Sequence, residues 1–323
     1  MMLKRSLPLG LFLVLISAME VIAAPLKIAT WNIEHLRANP NSGPNPRTEA
    51  DYQRLAAYAE QLNADVIALQ EVEGAVAAAR IFDPEEYAFF FSNRTDPMLT
   101  GFAVRRGIDV IQNPDLVELD VGGGGDLRYG TDITVTSNGR ELRLLSIHLK
   151  AFCFQDPIDA PSSACMTLNQ QLTVLEEWID TQAATEVPFV VLGDFNRRLN
   201  LLGDEFWFEI DDADPPNADL TNSTVGLMSQ CWESEFPNYI DHIVMDAIAS
   251  QFVVPGSFEQ LLFVEPIVQQ DVLSDHCPIA ISLNIPSADE PEPALDETQQ
   301  QLLEQIEIIE QELRELREVI LKK

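Results

Sequence analysis

Acidic, amide and histidine side chains recur directly after hydrophobic runs of this sequence, where predicted strands end. A polar group in that position lies at the rim of a sheet, where open α/β architectures build their sites. Carboxylates and amides supply oxygen ligands for a hard divalent cation, and histidines transfer protons near neutral pH. The residues that share this position are Asn32, Glu34, Glu71, His148, Asp194, Asn196, Asp241, Asp275 and His276.

Each of these residues taken alone also fits a structural role, because Asp and Asn commonly form turns after strands. His148 by itself is explained equally well as a strand-end histidine that packs in the fold. The whole set is chemically coherent, however, since it holds cation ligands, proton carriers and amides that can orient an anion. This coherence favours an active site over ordinary turn chemistry.

Strand-like runs alternate with helical ones between residues 26 and 283, which predicts an α/β sandwich. Apolar residues at helical spacing predict helices over 48–62 and 168–180. Residues 122–125 are all glycine, but the lysine of a phosphate-binding loop does not follow them. The predicted strands are 26–32, 65–69, 87–91, 101–104, 110–119, 131–136, 141–147, 187–192, 239–245 and 279–283.

The first 23 residues have the layout of a secretory signal peptide. Lys4 and Arg5 precede an apolar stretch, and the small residues Ala23 and Ala24 follow it. Cleavage after Ala23 is favoured over cleavage after Ala24, because Pro25 directly follows Ala24. The alternative is an uncleaved N-terminal anchor, although the stretch is short for a membrane span. We therefore expect a secreted or periplasmic protein without stable membrane insertion after cleavage.

An exported protein meets an oxidising environment, so its four cysteines are expected to form disulfides. Cys153 and Cys165 bracket a short polar segment, and we pair them as a loop staple worth about 3 kcal/mol. That leaves Cys231 with Cys277, a bond that would hold the turn containing His276. The cysteine spacing matches no zinc pattern.

Charge limits the functions that are open to the chain. The 323 residues include 20 basic and 52 acidic side chains, and the formal net charge is −32. Such a surface repels polyanions at long range, which excludes a protein that coats DNA electrostatically. An acidic enzyme can still act on phosphodiesters where metal ions and a few basic side chains neutralise its cleft.

Two acidic segments stand apart from the catalytic pattern. Residues 211–219 form an acidic, Pro-containing insertion that we expect to be solvated, with a structural Ca²⁺ site as an alternative. Residues 286–297 form a charged, Pro-containing linker.

The final segment, residues 298–323, is predicted to be a coiled-coil helix. Apolar residues repeat at steps of four and three from Leu302 to Ile320 over about three heptads. We expect self-association through residues 302–320. The alternative is a single helix docked on the catalytic domain.

Six short motifs occur in one order along the chain: TWNIEHL, IALQEVE, SIHLK, LGDFN, IDHI and SDHCPI. Their set and spacing resemble the endonuclease/exonuclease/phosphatase superfamily, of the deoxyribonuclease I type. The resemblance covers nearly all of the chain between the signal peptide and the linker, so we assign residues 25–285 to one catalytic domain. It implies a four-layer α-β-β-α sandwich, two packed mixed β-sheets flanked by helices, that cleaves phosphoester bonds with Mg²⁺ or Mn²⁺.

The resemblance also implies roles for the strand-end residues. Glu71 would be the principal metal ligand, with Asn32 and Glu34 beside it and Asp275 completing the site. His276 would bond the scissile phosphate or activate water, and Asp241 would orient it. Asp194 and Asn196 would position the attacking water and hold a phosphoryl oxygen. His148 would act as a general acid near the leaving group.

Arg128 and Lys150 are expected to contact phosphate, although each also fits an ordinary surface role. The expected activity is that of a secreted nuclease acting on DNA or RNA. The enzymatic alternative is a phosphodiesterase or phosphatase acting on a lipid headgroup or small organophosphate. The non-enzymatic alternative is a silent binding module that the C-terminal coil oligomerises.

Overall fold

The computed structural model describes residues 24–234 and 237–288, together with positions 305 and 308. The predicted signal peptide lies outside the described residues. Residues 289–297 of the predicted linker also lie outside them, and of the C-terminal segment 298–323 only positions 305 and 308 are described, both as helix. No helix in the described part of the chain is long and apolar enough to cross a membrane.

Strands account for most of the regular structure in this part of the chain. The helices are α1 (Glu49–Leu62), α2 (Ala75–Ala78), α3 (Ser163–Ala183), α4 (Glu205–Ile210) and α5 (Ala247–Ser250). The strands are β1 (Leu26–Leu36), β2 (Val66–Val72), β3 (Tyr87–Phe91), β4 (Leu99–Arg105), β5 (Asp109–Gln112), β6 (Thr131–Ser137), β7 (Arg140–His148), β8 (Phe189–Asp194), β9 (Thr221–Asn222), β10 (Asp241–Met245), β11 (Glu259–Gln260) and β12 (Ile279–Leu283).

These strands form two six-stranded mixed sheets. The first sheet has the order β11-β12-β1-β2-β4-β3, and the second has the order β5-β6-β7-β8-β10-β9. In each sheet a parallel pair lies at the centre, β1 with β2 and β7 with β8. In the first sheet β12 pairs antiparallel with β1, so that the first and last of these strands lie side by side and Leu26 of β1 faces Leu283 of β12.

Three hydrophobic clusters separate four layers of structure. Apolar side chains that alternate along a strand point to opposite faces of its sheet. Ile28 accordingly packs between the two sheets, whereas Trp31 packs outward with Leu55 of α1. Leu172 of α3 packs against the outer face of the second sheet with Phe189. The predicted four-layer α-β-β-α sandwich is thereby confirmed.

Local sequence signals account for the ends of the two long helices. Thr48 caps α1 through a reciprocal pair of hydrogen bonds with Asp51, and Asn63 ends the helix in a left-handed conformation. The Ser162 hydroxyl accepts a hydrogen bond from the Cys165 backbone N–H at the start of α3, at 3.1 Å. Both helices are therefore fixed at their starts by residues of the expected capping types.

One predicted strand is shorter than its apolar run. We predicted a strand over 110–119, but β5 ends at Gln112 and residues Val117–Leu119 form a 3₁₀ turn. Pro114 explains the difference, since proline cannot donate a ladder hydrogen bond. The turn places Leu119 in the cluster beneath α3 instead of in the sheet.

Candidate active site

The strand-end residues of both sheets meet in one cleft. Three neighbouring strands of the second sheet bring His148, Asp194 and Asp241 into one row, because Asp194 faces both of the other two in the strand register. The first sheet contributes Asn32 and Glu71. The Asn32 side-chain amide spans the two sheets, donating to Asp194 Oδ2 at 3.1 Å and to Glu71 Oε1 at 3.4 Å.

Irregular backbone at the ends of β1 and β2 aims the acidic side chains into this cleft. The pairing of β1 with β2 shifts register between Asn32 and Leu36. Glu34 and Glu71 have positive φ values of 34° and 61°. Side chains rarely tolerate this region, and such strain is found where a site needs a particular direction. The sequence pattern located these residues at strand ends but did not predict the bulge.

His276 is held as a cation by the carboxylates around it. Its Nδ1 lies 2.7 Å from Asp241 Oδ2, and its Nε2 lies 3.8 Å from Asp194 Oδ2. Burial would lower the pKa of His276, but Asp241, Asp275 and Asp194 together hold that pKa well above its usual value. A protonated imidazole at this place can bind and stabilise an anionic phosphoryl oxygen.

His148 has the opposite charge state. Burial lowers the pKa of His148 well below its ordinary value, and the positive charge of Arg128 adds to the effect. Its Nε2 lies 3.5 Å from Asp194 Oδ2 and 3.8 Å from Glu71 Oε1. His148 is therefore neutral in the free protein. A general-acid role would require it to take up a proton when an anionic substrate arrives.

Asp194 lies between the two histidines. Burial raises the pKa of Asp194, while the neighbouring His276 opposes this rise. Its Oδ1 accepts the backbone N–H of Asn196 at 2.9 Å, which leaves Oδ2 facing Asn32 and the histidines. A carboxylate whose pKa is moved towards neutrality is better matched to accept a proton from water.

Glu34, Glu71 and Asp275 form a group of oxygen donors beside this row. Burial and the charge of Asp275 raise the pKa of Glu34 to about 7. Burial also raises the pKa of Asp275; His276 opposes this rise and Glu71 adds to it. The neighbouring negative charges that raise the pKa values of Glu34 and Asp275 fit a hard divalent cation, which offsets their repulsion. When bound, such an ion stabilises charge on phosphoryl oxygens.

The remaining predicted residues are less closely joined to the row. Asn196 has a positive φ of 52° and donates its side-chain N–H to the Leu149 carbonyl at 3.0 Å. Arg128 is half-buried and near enough for its charge to act on His148. The Lys150 ammonium lies 5.4 Å from the centre of the Phe152 ring. The structure thus brings Arg128 to the cleft and turns Lys150 towards an aromatic ring.

Sequence reasoning missed Arg47, which ties two cleft loops together. This buried guanidinium donates to the carbonyls of Glu34, at 2.8 Å, and Leu273, at 2.7 Å. Asn45 also hydrogen-bonds the Glu34 carboxylate through its side-chain amide. Nothing in the sequence around these residues marks them, because they precede a helix and follow no strand.

Sequence reasoning also missed Gly193 and Gln70. Gly193 allows two strands of the second sheet to approach closely, and Gln70 makes a hydrogen bond between the two sheets. Gly193 has a φ of 148°, and a Cβ atom there would lie 2.1 Å from the Ile147 carbonyl oxygen. Gln70 donates to the Ser146 hydroxyl at 3.1 Å across the sheet interface. The first residue lets β7 approach β8 closely, and the second joins the buried faces of the sheets.

Both predicted disulfides are present. Cys153 bonds Cys165, and Cys231 bonds Cys277. Cys277 follows His276 directly, and the Ser274 hydroxyl accepts the His276 backbone N–H at 3.1 Å while donating to the Asn32 carbonyl at 2.7 Å. The turn that carries His276 is therefore anchored on both sides.

The acidic insertion at residues 211–219 meets two carboxylates of α3. Ligand atoms of Glu176, Asp180 and Asp212 all lie within 4.8 Å of one another. Burial, then the charge of Asp180, raises the pKa of Glu176 to about 8. A protonated carboxyl satisfies this cluster without an ion, so the Ca²⁺ site stays a prediction.

A two-sheet sandwich whose cleft combines clustered carboxylates with two histidines is the arrangement expected of a metal-dependent hydrolase of phosphoesters. The model of the Endonuclease/Exonuclease/phosphatase family matches residues 29–276, and the chain belongs to this family. It is accordingly a hydrolase acting on phosphoester bonds. No curated protein sequence matches the chain.

Solved structures share the fold at low sequence identity. Humanized TDP2 of D. rerio is 20% identical over 81% of this chain and 100% of its own, with a TM-score of 0.59. TDP2 of D. rerio complexed with single strand DNA product is 19% identical over 81% and 100%, with a TM-score of 0.56. An endonuclease/exonuclease/phosphatase from Bacteroides vulgatus is 16% identical over 81% and 99%, with a TM-score of 0.51.

Proposed function

We propose that the protein is an exported nuclease that hydrolyses phosphodiester bonds of DNA, and of RNA as a second substrate, with Mg²⁺ or Mn²⁺. This proposal rests on the different charge states of the two histidines that flank Asp194. His276 is cationic and His148 is neutral, so one can hold an anion while the other remains able to accept a proton. This arrangement suits an anionic phosphodiester whose leaving group needs a proton.

In the proposed reaction, Asp194 takes a proton from the attacking water and Asn196 helps to position it. Asp241 keeps His276 charged and oriented, and His276 binds the phosphoryl oxygen that gains charge. His148 takes up a proton from solvent as the anionic substrate enters and donates it to the leaving oxygen as the bond between phosphorus and that oxygen breaks. Glu71, Glu34, Asp275 and Asn32 would hold the metal ion. Arg128 and Lys150 would contact neighbouring phosphates.

Export is proposed from the N-terminal sequence and from the two disulfides, which are compatible with an oxidising compartment. We also propose that residues 1–23 are removed and that residues 302–320 associate copies of the chain. Mass spectrometry of the exported protein tests the first proposal. A monomeric mass by light scattering of the full chain would contradict the second.

The activity is tested by incubating purified protein with supercoiled plasmid, single-stranded DNA and RNA in the presence of Mg²⁺. We expect cleavage that chelation abolishes. The Glu71→Gln and His148→Ala variants should lose it, whereas Glu60→Gln, an exposed carboxylate of α1, should retain it. If no nucleic acid is cut while a small phosphodiester is hydrolysed, the nuclease proposal is wrong.

A further inference from the structure

A cavity of about 240 Å³ opens directly beside His276 and Asp275. Its walls come from loops that follow β7 and β8 and from the segments that precede β10 and β12. Phe154, Arg198, Asn238 and Gln270 line it, together with the Cys231–Cys277 disulfide. A phosphate bound at His276 would therefore direct one of its two ester substituents into this cavity.

Covalent bonds hold opposite walls of the cavity in place. Cys231 and Cys277 belong to the lining itself. Phe154 comes directly after Cys153, whose bond to Cys165 ties that loop to the start of α3. Loops that a disulfide fixes lose little conformational freedom when a ligand binds, so less affinity is spent on ordering them.

The cavity combines an aromatic ring with unused hydrogen-bonding groups. Phe154 is half-buried in the wall. Arg198 donates through one terminal nitrogen to Gln155, and its other terminal nitrogen is not buried and has no hydrogen-bond partner among the described residues. Gln260 is already occupied, since its oxygen accepts from Gln230 and Tyr239 and its nitrogen donates to Ser229. The free donor thus belongs to Arg198.

The charges around the cavity are unsuited to a second phosphate. His276 is paired with Asp241, which leaves Arg198 opposite Asp275. There is no surplus of positive charge to neutralise an anion. A hydrocarbon chain would contact Trp232, Tyr239 and Ile240, but it would bury the Arg198 guanidinium and the amides of Asn238 and Gln270 without partners. A neutral planar ring with acceptor atoms on its edge satisfies both the aromatic wall and the Arg198 donor.

Resting on the proposed nuclease function, we infer that this cavity binds one unpaired nucleobase next to the scissile phosphate. The protein therefore acts on single-stranded nucleic acid in preference to duplex. The cavity is smaller than the roughly 300 Å³ at which sites for drug-sized ligands begin, so it holds one ring system. A chain with a net charge of −32 gains little from following the phosphates of a duplex.

The test compares cleavage of a single-stranded oligonucleotide, its duplex, and the same strand with one abasic position beside the cut. Wild-type protein should show a KM for the single strand on the order of tenfold below those of the other two. Phe154→Ala and Arg198→Ala should erase the difference between base and abasic substrate with kcat retained. Gln61→Ala, which removes an exposed amide of α1 outside the lining, should preserve it.

Equal KM for base and abasic strands in the wild type would overturn the cavity assignment and leave the nuclease proposal standing. Absence of all nucleic-acid cleavage would overturn the nuclease proposal instead. In that case, fluorescence titration with 2-aminopurine riboside 5′-monophosphate decides the cavity separately. Quenching that Phe154→Ala abolishes would support base binding, and no quenching would overturn it.

Discussion

The Nδ1 atom of His276 lies 2.7 Å from Oδ2 of Asp241, while the other oxygen of Asp241 is buried without a hydrogen-bond partner among the described residues. Among the described residues, the Asp241 carboxylate therefore has the His276 imidazole as its hydrogen-bond partner. Together with Asp275 and Asp194, this pairing outweighs the effect of burial and holds the pKa of His276 well above its usual value, so His276 is protonated at neutral pH.

Replacing Asp241 with Asn should therefore lower kcat roughly a hundredfold or more, because His276 loses its charge partner. The change removes the main influence that raises the pKa of His276, so the remaining activity should fall as the pH rises through neutrality. A pH series of kcat/KM measures this effect. An unchanged pH profile in Asp241→Asn would show that the charge of His276 is not used.

Metal binding should depend on Glu71 more than on any exposed carboxylate. Calorimetric titration of the wild-type protein should detect Mg²⁺ or Mn²⁺, and Glu71→Gln should weaken the binding at least tenfold. Glu60→Gln serves as the matched control, since it removes the same charge from the surface of α1. Equal affinities in the three proteins would place the ion elsewhere.

His242 should make stability depend on pH. Burial lowers the pKa of His242 to about 4 from 6.5, and its ring bonds the Arg197 carbonyl and the Thr224 hydroxyl. The unfolded chain therefore binds a proton that the folded chain rejects. The stabilisation is present above pH 6.5 and is lost as the pH falls towards 4, by about 2 kcal/mol between pH 7 and pH 5.

Urea unfolding at those two pH values measures this loss. His242→Gln lacks the titrating group, so its free energy of unfolding should fall less steeply over the same range. Parallel slopes in the two proteins would contradict the assignment.

Gly193→Ala should destabilise the fold by roughly 1–3 kcal/mol and reduce activity as well. The added methyl would lie 2.1 Å from the Ile147 carbonyl and push β7 away from β8, which carry His148 and Asp194. Gly107→Ala separates this clash from backbone strain, because Gly107 has a φ of 98° but open space around its Cβ position. A larger loss of activity in Gly107→Ala would contradict the prediction.

Removal of the Cys231–Cys277 bond should reduce both stability and activity. The bond closes a loop of 46 residues, which corresponds to about 4 kcal/mol in the chain-entropy treatment. The Cys231→Ser/Cys277→Ser protein should show a raised KM because the His276 turn loses one anchor. Cys153→Ser/Cys165→Ser is the comparison, with an expected loss of about 3 kcal/mol for its loop of 12 residues.

The sequence predicted the strand-end positions well because alternating hydrophobicity marks where a strand stops. The same alternation of strands and helices predicted the layers of the sandwich. Short spacing predicted the Cys153–Cys165 bond, and the Cys231–Cys277 bond followed by elimination. The roles of Arg47 and Gly193 were not predicted, since they depend on contacts with segments far away in sequence. The neutral state of His148 was not predicted either, because the charge of a histidine depends on burial and on neighbouring charges that no motif encodes.

The pairing of Leu26 with Leu283 has a consequence for how the domain can be attached to other structures. Both ends of the domain emerge at the rim opposite the cleft, about 20 Å from Asn32 along β1. A tether fused at either end would leave the entrance to the active site clear. Joining the two ends by a short linker and opening the chain at an exposed loop such as Gly122–Gly125 should yield an active circular permutant.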